Sequence, residues 1–154
     1  MKDAKDMLGA VARQAGEQLD GETFVAACPL PTRGYIRRSA GAATGITFAK
    51  TARNAIDGEI LPNTLVFGLT KTRLFVFELV TKTARVGDVK AILPLDIITG
   101  VTSVKFRSLL IPRLNVDISI RDSDPLLLEA GWPVVDDAER FVSALTAAIA
   151  NRES

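Results

Sequence analysis

Phe67-Gly68-Leu69-Thr70-Lys71-Thr72-Arg73-Leu74-Phe75-Val76-Phe77 is the stretch on which the fold turns. Two apolar runs rich in aromatic and branched side chains flank a short polar turn, the pattern of a β-hairpin. The first arm reads as Thr64 to Leu69 and the second as Arg73 to Val80. In the second arm Leu74, Val76 and Glu78 point one way, while Phe75, Phe77 and Leu79 point the other.

Downstream the β pattern continues. Val86 to Leu93 reads as a strand ended by Pro94, Leu95 to Ile98 as a short bridge, and Gly100 to Phe106 as the next strand. A turn follows around Ser108 to Pro112. Leu114, Val116, Ile118 and Ile120 then alternate with Asn115, Asp117, Ser119 and Arg121, which predicts one buried and one wet face. Asp122-Ser123-Asp124 is a turn and Leu126 to Ala130 the last strand. Asp136 opens a helix, with Glu139 three residues on to complete a capping box. Ala138, Phe141, Val142, Leu145, Ala148 and Ile149 line its apolar face.

Upstream, Met7, Leu8, Val11, Ala12, Ala15 and Leu19 recur at helical spacing, which predicts a helix over 3–19 that Gly21 can end. It either packs on the domain or serves as an arm or dimer contact. Thr23 to Cys28 reads as a strand stopped by Pro29 and Pro31. Asp57-Gly58 and Pro62-Asn63 mark turns. The 154 residues fit one domain, with residues 1–21 as an N-terminal helix, 33–63 as an insertion and 135–151 as a capping helix. Seven strands and an amphipathic helix suit a small closed or nearly closed barrel.

At this point residues 64–149 resemble bacterial pleckstrin-homology-like domains. The likeness rests on the hairpin quoted above and on Leu93-Pro94-Leu95-Asp96-Ile97-Ile98-Thr99-Gly100-Val101. In those domains a "leu-thr-x-x-arg-leu" hairpin precedes a "pro-leu" strand and an "ile-thr-x-val" stretch. The resemblance implies two antiparallel sheets packed nearly at right angles, one end capped by the C-terminal helix. The fold class expected is therefore mainly β, a pleckstrin-homology-like barrel of about seven antiparallel strands with an extra N-terminal helix. The family's first inter-strand loop often carries basic residues that grip phosphoinositide headgroups. Arg33, Arg37 and Arg38 fall in the corresponding stretch. The spaced lysine-then-arginine signature along the first two strands is missing.

Composition narrows the chemistry. The chain holds no histidine and one cysteine, Cys28, against 19 basic and 18 acidic residues. The commonest general base and metal ligand is absent, and one cysteine builds neither a disulfide nor a thiolate metal site. Cys28 reads as a buried apolar residue. No phosphate-binding loop or dinucleotide fingerprint occurs. Asp122, Asp124, Asp136 and Asp137 have sufficient roles in a turn and a helix start. No enzyme, cofactor or metal site is expected. The N-terminus lacks a secretory pattern, no stretch offers a membrane span, and a cytoplasmic protein with peripheral membrane contact is the expectation.

The charge is uneven. Residues 33–53 contain Arg33, Arg37, Arg38, Lys50 and Arg53 and no acid. That segment is either a solvated connection laid on the domain or a binding patch. Such a patch would suit an anionic membrane surface, a protein partner or a second copy of the chain. Nucleic acid is the least favoured partner, since aromatics do not interleave with these cations and the net charge is +1. Trp132, the sole tryptophan, is expected to pack under the final helix, with an exposed anchor as the other reading. The function expected is a non-enzymatic interaction module; the alternatives are a carrier of a small apolar ligand and a self-assembling structural protein.

Overall fold

The computed structural model describes residues 4–35 and 52–152. Helix α1 (Ala4–Ala15) gives way at Gly16, whose φ of +52° ends the α-helix, to a 3-10 turn over Gly16–Leu19. The strands are β1 (Ala26–Pro29), β2 (Ala55–Ile56), β3 (Glu59–Ile60), β4 (Leu65–Leu69), β5 (Arg73–Val80) and β6 (Arg85–Pro94). A 3-10 turn over Leu95–Ile97 leads to β7 (Ile98–Ser108), β8 (Ile111–Ile120) and β9 (Leu126–Gly131), and helix α2 (Val135–Arg152) closes the chain. The hairpin, the alternating strand and both helices therefore form where the residue pattern predicts, except that the N-terminal α-helix stops at Ala15, ended by Gly16 rather than Gly21.

Pairing is antiparallel throughout. One sheet has the order β1-β4-β5-β6, another β7-β8-β9, and β2 and β3 form a small hairpin around Asp57-Gly58. The closed barrel is not found among the described residues. β6 and β7 are outer strands of different sheets, joined by the 3-10 turn rather than by a ladder. The opposite corner is bridged. Beyond β1, the Leu30 amide donates to the Leu65 carbonyl of the first sheet (3.0 Å). The Glu129 amide then donates to the Pro31 carbonyl (3.0 Å), and the Arg33 amide to the Leu127 carbonyl of β9 (3.0 Å). Pro29 belongs to β1 rather than stopping it. β1 has only one neighbour, so proline on this edge is compatible with the ladder.

Alternation sorts the side chains into two clusters. Leu65, Phe67 and Leu69 of β4 and Leu74 and Val76 of β5 meet Leu114, Val116 and Ile118 of β8. Phe141 and Leu145 of α2 join the same core. The other face of the first sheet offers Val66, Phe75 and Phe77, which Met7, Val11 and Ala15 of α1 cover. This two-sided burial explains why every residue of β4 is buried. Gly68 sits under the Phe24 ring, where an added Cβ would come within 2.7 Å of it.

The start of α2 differs in detail from the sequence reading. The helix starts at Val135, as the expected 135–151 bounds have it, but Asp136 and Asp137 lie within its first turn, so Asp136 is not the residue that precedes the helix and caps it. There they complement the helix dipole. Glu139 pairs with Lys105 of β7 at 3.2 Å.

Candidate functional site

Of the five cations singled out in the sequence, Arg37, Arg38 and Lys50 lie outside the described residues. The other two have different surroundings. Arg33 is turned onto the second sheet. Its guanidinium donates to the carbonyls of Val116 (3.1 Å) and Leu128 (3.3 Å) and pairs with Asp117. Arg53 is exposed and lines a polar depression with Asp57, Asp122 and Asp124. Among the described residues, one cation among three carboxylates is a poor seat for an anion. The structure thus places Arg53 beside the Asp122 turn and Arg33 against Asp117.

The described residues on either side of positions 36–51 are held firmly. The Ala52 amide donates to the Arg33 carbonyl at 2.8 Å. Buried Asn54 donates to the Leu127 carbonyl (3.0 Å) and accepts from the Leu127 amide (2.8 Å), in the manner of a strand neighbour. Its amide also reaches the Thr32 hydroxyl at 3.2 Å. These contacts satisfy the buried polar groups of Thr32 and Asn54.

At the α1 junction, Arg73 donates to the Glu22 carboxylate (2.8 Å) and to the Leu19 carbonyl (2.8 Å). Burial works to raise the Glu22 carboxyl. Hydrogen bonds from Thr72 and Arg73 outweigh that and hold it below the usual carboxylate range. The group ties α1 to the β4–β5 turn.

Cys28 is fully buried, as expected, and burial, followed by the Asp137 charge, pushes its thiol up to about 12. At pH 8 roughly one thiol in ten thousand is then ionised. A thiol-specific reagent at pH 8 should leave the folded protein unlabelled and modify one cysteine per chain in denaturant. Rapid labelling of the folded chain would contradict this placement.

The conspicuous surface lies elsewhere. Leu109 and Leu110, at the turn between β7 and β8, are 93% and 84% exposed, and Trp132 is 73% exposed. Phe106 and Ile111 are exposed on the same hairpin, and Val104 farther down β7. Trp132 follows Gly131, whose register partner is Arg113, so it belongs to the same end of the sheet as this turn. The expectation that Trp132 packs under α2 is corrected; it borders a shallow groove with Pro29, Pro31, Ile111, Arg113 and Val134. Both leucines have positive φ, +52° and +70°. Asparagine and glycine favour that conformation at hairpin turns, whereas leucine is strained in it. The overlooked signal was three consecutive apolar residues, Leu109-Leu110-Ile111, inside a turn otherwise expected to be polar.

Set against protein-family models and curated proteins, the chain matches none. No helix among the described residues is long and apolar enough to cross a membrane.

Proposed function

We propose that this chain is a non-enzymatic interaction module on a pleckstrin-homology-like scaffold, docking through the β7–β8 turn and Trp132. The scaffold reading is supported by a four-stranded sheet, a three-stranded sheet and a terminal helix, in that order. One observation carries the functional reading. The leucines at positions 109 and 110 are exposed and sit in a backbone conformation that disfavours them, so neither burial nor turn geometry accounts for them. A contiguous exposed apolar patch marks an interaction site. The carrier alternative is less favoured, because large apolar side chains meet in one cluster between the sheets, where a carried ligand would lie.

A Leu109→Asn/Leu110→Gly variant tests this. Asparagine-glycine suits the turn, so the variant should unfold about 1–2 kcal/mol harder than the native chain. It should also elute earlier from a hydrophobic-interaction column. A destabilised variant would show that the leucines serve the fold, and the docking assignment would fall.

A further inference from the structure

We infer that the β7–β8 hairpin is a membrane-inserting finger, and that its occupant is the interfacial region of a lipid bilayer. The inference rests on this end being the docking surface.

Shape is the first argument. β7 and β8 stay paired up to Ser108 and Ile111, whereas β9 stops opposite Arg113. Beyond that point the hairpin continues as two strands. From Arg113 to Leu110 is three residues, or about 10 Å of projection. Apolar elements lying at a membrane surface are buried to a similar depth, about 5–10 Å. A stable protein contact instead needs about 800 Å² from each partner, spread over some 20–30 residues. Here six apolar side chains are offered, with the most exposed pair at a projecting tip.

Layering is the second. The tip is leucine, the bilayer-seeking part. Trp132 stands at the base, as expected of a side chain that prefers the headgroup level. The charges are sorted likewise. Residues 97–116 contain Lys105, Arg107 and Arg113 and no acid. Lys105 is paired with Glu139, and Arg113 with the buried Glu129. Arg107 is exposed and is in none of the ion pairs among the described residues. A single uncompensated cation implies an anionic-lipid preference of only about fivefold. The bulk of the binding is apolar and therefore resists salt. A patch of surface cations would behave in the opposite way.

The full chain supplies its own reporter, since Trp132 is its sole tryptophan. It should be titrated with phosphatidylcholine vesicles and with vesicles that also contain phosphatidylserine, at low and physiological salt. The emission should shift to the blue with both, and acyl-brominated phosphatidylcholine should quench it. Binding should be about fivefold tighter with phosphatidylserine and nearly indifferent to salt. The Leu109→Asn/Leu110→Gly variant should bind at least tenfold more weakly, with an unchanged circular dichroism spectrum.

Binding that requires phosphatidylserine, vanishes with salt and ignores the variant overturns both the finger and the docking end, and moves attention to the 33–53 segment. Unchanged Trp132 emission with every vesicle overturns the bilayer as occupant. In that case sedimentation equilibrium decides what stands. A dimer abolished by the variant keeps the docking end with a second copy as its occupant. A monomer unaffected by the variant leaves the docking end unsupported as well.

Discussion

Phe75→Ala should lower stability by about 3–5 kcal/mol and loosen α1 from the sheet. Phe75 is fully buried, on the outer face of the first sheet. Phe24 meets its ring edge-on at 5.1 Å, Phe77 stacks at 6.1 Å, and the Arg73 guanidinium lies 4.9 Å above it. Removing the ring leaves a cavity under Met7 and Val11 that a short helix and a hydrogen-bonded sheet fill poorly. A domain of this size has only about 5–15 kcal/mol to lose. The measurement is a urea titration, paired with limited trypsin cleavage at Arg13 in α1. The expected result is a lower midpoint and faster cleavage at Arg13. A loss below about 1 kcal/mol would mean that α1 closes onto the gap. The same packing bears on self-association, because the apolar face of α1 is used within its own chain.

Arg33→Ala should destabilise the domain by about 2 kcal/mol, whereas Arg53→Ala should stay within about 0.5 kcal/mol. Both residues belong to one run of cations in the sequence, so the contrast tests the structural assignment. Arg33 donates to two strand carbonyls and to Asp117, with its side chain 27% exposed. The ion pair is screened by solvent, so most of the loss comes from the carbonyl bonds. Arg53 has no such anchor in the second sheet and faces solvent. Equal denaturation midpoints for the native and Arg33→Ala chains would return Arg33 to the pool of ligand-binding candidates.

Strands downstream of residue 64 were legible because period-2 alternation records which face is buried. β5 matches its expected bounds, and β8 was recognised through Leu114, Val116, Ile118 and Ile120. The α1 face was legible for the same reason at helical period. Barrel closure was not legible, since it depends on whether β6 and β7 pair across a turn that sequence leaves undefined. The use of Arg33 was hidden too. Its partners, Val116, Asp117 and Leu128, lie more than 80 residues away and share no pattern with it. Trp132 misled because large aromatics usually pack, and nothing local says which end of a sheet will face water. Leu109-Leu110 was readable in principle, since a tight turn filled with leucine contradicts turn chemistry.

The contacts that stitch residues 32–33 to residues 52–54 have a practical side. Residues 33 and 52 are joined by a backbone hydrogen bond, and Asn54 locks the returning strand onto β9. The chain therefore leaves the scaffold and returns to it at two fixed points. For a flexible loop grafted between those points, doubling its length costs only about 0.6 kcal/mol in closure entropy. This position is a ready socket for grafted peptides, tags or whole folded cargo, at the opposite end of the second sheet from the leucine tip.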